Sequence, residues 1–72
     1  MAATLKRYIA TIVCNPGTNQ ETTRDHAEIL VADDDEAVRQ AQEWLRRSGI
    51  AQKGDFLIVA ENGRGVRSTR IP

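Results

Sequence analysis

The chain contains few of the residues that mark specialised classes of protein. Its 72 residues include one cysteine, Cys14, two prolines and three aromatic residues, and the formal net charge is zero. A single cysteine excludes an internal disulfide and makes a cytoplasmic location the expectation. Zero net charge excludes a global field that attracts nucleic acid or membranes. The shortage of aromatic residues disfavours an RNA-recognition surface built on base stacking.

Long apolar segments and familiar site motifs are also missing. The longest apolar run is residues 56–60, whereas a membrane-spanning helix needs about 20 apolar residues. No apolar segment follows the basic residues near the start, so we expect neither a signal peptide nor membrane association. The sequence has no CxxC, no HExxH and no glycine-rich phosphate loop, and we expect no cofactor.

The apolar residues that are present suffice for one small core. Hydrophobic residues make up 40% of the sequence, which argues against disorder. We expect residues 1–72 to form a single domain. A chain of this size buries only about 60–65% of its unfolded surface, so its stability should be modest.

The charges are unevenly distributed along the chain. Residues 21–43 carry eight acidic residues and two arginines, and the rest of the chain has the opposite excess, giving balances of −6 and +6. This pattern predicts a dipolar molecule, which favours head-to-tail contacts or one basic face.

Residues 34–48 predict one amphipathic helix. Asp33 is placed to cap its N-terminus, with Glu36 at the spacing of a capping box. Basic residues lie in the last turn, and Gly49 follows the predicted end. The apolar side chains form one stripe, consisting of Ala37, Val38, Ala41, Trp44 and Leu45.

Four strands are predicted around this helix. They cover residues 5–13, 25–32, 55–61 and 66–71, which are rich in β-branched residues or alternate in polarity. Residues 14–23 form a flexible loop with Pro16-Gly17 in a type II turn, and Asn62-Gly63 predicts a type I′ hairpin turn, with a bulge at Gly65. The expected fold is α+β: a β-β-α-β-β chain with a four-stranded antiparallel sheet and one helix packed on one face.

The third strand predicts an association surface, because it is apolar on both sides. A helix of about 15 residues is roughly 22 Å long and covers only one face of the sheet. Phe56 and Ile58 lie on one side of the strand, and Leu57 and Val59 lie on the other. We assign Leu57 and Val59 to the uncovered face and expect it to meet a protein partner, most simply a second copy in a homodimer. The alternative is a face left in water, which antiparallel sheets tolerate.

Two clusters resemble active sites but have simpler explanations. The run Asp33–Glu36 could bind Mg²⁺ or Ca²⁺, yet a cap that satisfies the helix dipole explains the same residues. Cys14 and His26 could form a nucleophilic pair, but no supporting local signature accompanies them. We predict no catalytic residue, no metal site and no enzymatic activity.

Arg64, Arg67 and Arg70 form the third cluster, with no acidic residue after Glu61. One interpretation is a hairpin that contacts the phosphates of a nucleic acid. The other is an edge strand whose charges prevent pairing with other chains. We favour the second interpretation.

Three segments carry a resemblance to known proteins. Arg7-Tyr8-Ile9 in the first strand, Asp34–Ala37 at the helix start and Glu61–Arg64 in the last hairpin resemble a group of small bacterial proteins that form a domain of unknown function. This resemblance implies the ββαββ fold and no catalytic residues. Glu36-Ala37 followed by Ala41 is similar to the helix of HicB-type antitoxins, which would imply a protein partner. The function we expect is a non-enzymatic binding or assembly module.

Overall fold

A computed structural model describes residues 4–72, and Met1–Ala3, part of the start predicted to lack a signal peptide, lie outside them. The elements follow the predicted order. They are β1 (Lys6–Cys14), β2 (Thr22–Val31), α1 (Asp34–Ser48), β3 (Phe56–Glu61) and β4 (Arg64–Arg70). The strands differ from their predicted bounds by a few residues at their ends, and the helix has the predicted bounds.

The four strands form one antiparallel sheet in the order β2-β1-β3-β4. The predicted α+β fold is therefore confirmed. β1 and β3 occupy the centre, while β2 and β4 are the edges. The helix connects edge strand β2 to central strand β3 and packs on one face of the sheet.

The core lies between α1 and the face of the sheet that it covers. Ala37 and Ala41 are fully buried on the helix, and their small side chains let it approach the strands closely. Trp44 and Leu45 pack against the margin of this core. The strands contribute Ala10 and the larger side chains, which are Tyr8, Ile12, Ile29, Leu57 and Val59.

Local chemistry fixes both ends of the helix. The carboxylate of Asp33 accepts a 2.9 Å hydrogen bond from the backbone N–H of Glu36, as expected of an N-cap. The Glu36 side chain accepts from Arg39 and Gln40, so only half of the predicted capping box forms. Gly49 ends the helix with φ 65, in the left-handed region where glycine has no steric penalty.

The turns follow the sequence signals. Thr18 N–H donates to the Asn15 carbonyl at 3.3 Å, and Gly17 has φ 77, as a type II turn requires. Because the strands extend to Cys14 and from Thr22, the loop is shorter than the predicted 14–23. Asn62 and Gly63 both have positive φ, as a type I′ turn requires. Among residues 4–72, no helix combines the length and the apolar character needed to cross a bilayer.

Candidate association surface

The structure reverses the predicted sides of β3. Leu57 and Val59 are 3% and 1% exposed and belong to the core beneath α1. The prediction that these two residues form the association face is therefore wrong. Strand alternation places Phe56 and Ile58 on the other side, and both are only half-buried.

We call the side of the sheet opposite α1 the open face. Its centre is formed by the outward residues of β1 and β3, which pair Ile9 with Ala60 and Val13 with Phe56. A sheet with one solvated face normally alternates apolar and polar residues, but five of the six central positions here are apolar. The six are Ile9, Thr11, Val13, Phe56, Ile58 and Ala60.

Polar side chains border this apolar centre on the two edge strands. On β2, Glu28 lies opposite Ile9 and forms an ion pair with Arg7. On β4, Ser68 lies opposite Ile58 and Arg70 opposite Phe56. An apolar centre within a polar rim is the usual anatomy of a protein–protein interface. Leu30, 55% exposed on β2, adds an apolar side chain to this rim.

The three arginines of β4 do not form one cluster. Gly65 pairs with Ala60 and Arg67 pairs with Val59, so Val66 is an extra residue in a bulge, as predicted. The bulge changes the alternation and places Arg64 and Arg67 on the helix side. Arg70, opposite Phe56, is on the open face. A single phosphate-binding patch of all three side chains is therefore not formed.

Arg64 is bound within the protein. Its Nη2 donates to Asp34 Oδ1 at 2.9 Å and to Glu61 Oε1 at 2.7 Å. These hydrogen bonds raise the pKa of Arg64. The hydrogen bond from Arg64, followed by that from the hydroxyl of Tyr8, lowers the pKa of Asp34. Arg64 therefore fastens the β3–β4 hairpin to the start of α1.

A second ion pair, between Arg24 and Asp55, lies at the other end of the sheet. Arg24 Nε donates to Asp55 Oδ2 at 2.6 Å, and Asp55 is 3% exposed. The backbone N–H of Gln52 also donates to this carboxylate at 2.9 Å. The hydrogen bond from Arg24, followed by that from Gln52, lowers the pKa of Asp55. Arg24 is the extra residue of a bulge in β2, because Thr23 pairs with Val13 and Asp25 with Ile12. The ion pair therefore links this bulge to the loop before β3.

The acidic residues Asp33–Glu36 stabilise the start of α1 and its contacts with the sheet. Asp33 caps the helix, Asp34 binds Tyr8 and Arg64, and Glu36 binds Arg39. These three carboxylates thus point to different partners. Within residues 4–72, no group of three His, Cys, Asp or Glu residues is arranged to hold a metal ion.

Cys14 and His26 are held apart by the sheet. The buried Cys14 thiol contacts Thr22 Oγ1 at 2.9 Å. Its alternation with Ile12 places it on the helix side. His26 lies opposite Thr11 on the open face and is exposed. The two side chains are therefore on opposite faces, and no nucleophile–base contact forms between them.

Two features of the surface were not predicted from the sequence. The contact of Arg64 with Asp34 spans 30 residues, and that of Arg24 with Asp55 spans 31. The sequence contains one signal for a related contact, that between Tyr8 and Asp34. Tyr8 alternates with Ala10 and Ile12, and a buried tyrosine needs a partner for its hydroxyl. That partner is Asp34, at 2.7 Å.

The chain was also compared with known proteins. Neither protein-family models nor curated protein sequences nor solved structures gave a match.

Proposed function

We propose that this chain is a non-enzymatic assembly module that self-associates through the open face of its sheet. The observation that carries the proposal is the apolar centre of β1 and β3, which lies on the side that α1 leaves uncovered. Two such faces can pack as a sandwich of aligned sheets about 10 Å apart. A free thiol at Cys14 fits a reducing compartment, so we propose a cytoplasmic location.

The size of the face sets the expected affinity. Four strands about 4.8 Å apart and about six residues of 3.3 Å each give a projected area near 400 Å². Stable complexes usually bury about 800 Å² on each partner. The open face is therefore at the small end of the range, and the dimer should dissociate at micromolar concentration.

Ile58→Glu tests the proposal. Ile58 lies at the centre of the open face and is only half-buried in the monomer, so a carboxylate there can remain hydrated in a folded monomer but not in the dimer. Sedimentation of the unaltered chain should show a mass that rises from 8.0 kDa towards twice that value with concentration. The variant should show a clearly smaller rise above 8.0 kDa, because it loses the association that the open face provides, and its circular dichroism spectrum should be unchanged.

Gln42→Glu is the matched control, since it adds the same charge on the exposed side of α1. It should leave the association unchanged. The proposal fails if the unaltered chain is monomeric at high micromolar concentration and binds no hydrophobic dye. It also fails if both variants weaken association equally, because the effect would then come from net charge.

A further inference from the structure

The two edge strands differ in how far they resist pairing with another chain. β4 carries three arginines and no acidic residue, and its regular pairing is interrupted by the bulge at Val66. Charge and bulges are the features by which natural sheets block edge association. β2 also has a bulge, at Arg24, and carries two acidic residues beyond it, but it has neither proline nor lysine, its charges are of both signs, and from Asp25 to Val31 its pairing with β1 is uninterrupted. The outer edge of β2 is therefore open to a further strand.

Both sides of this edge are accessible. On the helix side, a groove runs between β2 and α1, lined by Ala27, Ile29, Gln40, Trp44 and Arg47. On the open face, Leu30 is mostly exposed. A strand added to β2 can therefore place its alternate side chains in the groove and on the open face, as in β-strand addition.

We propose that the strand added here is β2 of a second copy, paired antiparallel about a two-fold axis at Ala27. This surface is different from the open face and extends the proposed function. The alternation of side chains restricts the register, because directly opposed residues must lie on the same face. The two-fold axis then has to lie midway between the two copies of one residue, which is directly opposite itself. At Asp25 or Glu28 it would set like charges opposite each other, which is destabilising.

The register at Ala27 sets no like charges opposite each other and leaves each carboxylate within reach of a basic side chain. On the open face it sets His26 of one copy opposite Glu28 of the other, twice by symmetry. On the helix side it sets Asp25 opposite Ile29 of the other copy, and Ile29 lines the same groove as Arg47. Arg47 is 79% exposed and contacts Glu43 at 3.4 Å, so it can reach an incoming carboxylate. These contacts favour a second copy over an unrelated peptide.

Cross-linking tests the pairing directly. In a Cys14→Ser background, Ala27→Cys should form an intermolecular disulfide on mild oxidation, because opposed residues of paired strands have Cα atoms about 4.5–5.5 Å apart. Thr69→Cys is the control, since Thr69 lies opposite Leu57 and so faces the helix side of the other edge. We expect the Ala27 variant to cross-link about tenfold faster or more, because pairing raises the effective concentration of the thiols.

The outcomes separate this proposal from association through the open face. Ala27 faces the helix side, so adding Ile58→Glu should leave its cross-linking rate unchanged even if open-face association is lost. A fall to the rate of the Thr69 variant would overturn the edge proposal, as would equal rates for the two thiols. Hydrogen exchange of the unaltered chain provides a second test of the pairing between β2 strands. The amides within residues 25–31 that point away from β1 should become more protected with concentration, and no change would also overturn the proposal.

Discussion

The hydroxyl of Tyr8 donates a 2.7 Å hydrogen bond to Oδ1 of Asp34, which joins the centre of the sheet to the first residue of the helix. Arg64 donates to the same oxygen at 2.9 Å. β1, α1 and the β3–β4 hairpin therefore meet at one carboxylate. This contact links the helix start to the sheet and engages Arg64 within the protein.

Tyr8 should make the fold sensitive to alkali. Burial, with a further contribution from the hydrogen bond to Asp34, raises the pKa of Tyr8 from 10.0 to about 12. The folded state therefore favours the neutral phenol. Its stabilising contribution is complete below pH 10 and should be lost as the pH rises towards 12.

The phenolate absorbance measures this titration directly, because Tyr8 is the only tyrosine in the chain. Unfolding experiments between neutral pH and pH 12 should show a steeper loss of stability for the unaltered chain than for Tyr8→Phe. Equal slopes for the two proteins would contradict the role given to the hydroxyl.

The contribution of Asp55 to stability should be lost at acid pH, the opposite of the dependence expected for Tyr8. Its pKa is lowered from 3.8 by the hydrogen bonds from Arg24 and Gln52. Its contribution is therefore present above pH 3.8 and should be lost as the pH falls through its folded pKa. Asp55→Asn should reduce stability at neutral pH and flatten the acid limb of the stability curve. Glu21→Gln, at an exposed carboxylate in the loop before β2, is the control and should change neither the stability at neutral pH nor the acid limb.

The N-cap should contribute measurably to stability. Asp33→Ala removes the acceptor for the Glu36 N–H and should lower the free energy of unfolding by about 1 kcal/mol in urea titrations. Asp33→Asn keeps an acceptor at the same position and should lose much less. If both variants lose the same amount, charge at the helix start matters and the cap does not.

Neighbouring residues of β3 should differ in what they stabilise. Leu57→Ala empties a core position and should cost about 2–5 kcal/mol of unfolding free energy. Ile58→Ala, on the half-buried open face, should cost the monomer less and should weaken its association. Urea titrations at low micromolar concentration, combined with sedimentation, separate the two effects. The opposite ranking would contradict the assignment of the two faces.

Nucleic acid should not bind the β3–β4 hairpin. Arg64 is held by two carboxylates, and Arg67 and Arg70 lie on opposite faces of β4. Titration of labelled protein with short duplex DNA or RNA at low salt should leave the NMR signals of residues 64–70 unshifted. Shifts there that disappear with added salt, and in Arg67→Gln/Arg70→Gln, would support phosphate contact instead.

Local elements were predictable because their signals lie within a few residues. The helix bounds follow from Asp33 and Gly49, whose capping roles depend on hydrogen bonds within one turn and on a left-handed φ. The hairpin follows from Asn62-Gly63, since both positions require positive φ. The bulge beside Gly65 was also predictable, but the face that each arginine occupies depends on which residue is the extra one, and the structure shows that it is Val66.

The association surface was only partly predictable. The apolar run in β3 indicates burial on both sides, but Leu57 and Phe56 are equally apolar in sequence. Which of them meets the helix depends on how β3 pairs with β1 and on where Ala37 and Ala41 dock. The partners of Arg64 and Arg24 depend on the same packing, because each contact joins residues about 30 positions apart.

The sequence by itself determined the number, type and order of the elements, since periodicity, capping and turn chemistry act over short distances. Only the tertiary structure decided which face of the sheet is open, which edges are exposed and which arginine is already bound. Alternation along a strand defines two faces but does not distinguish them. The choice is made when the helix covers one face, and the other is then left to solvent or to a partner.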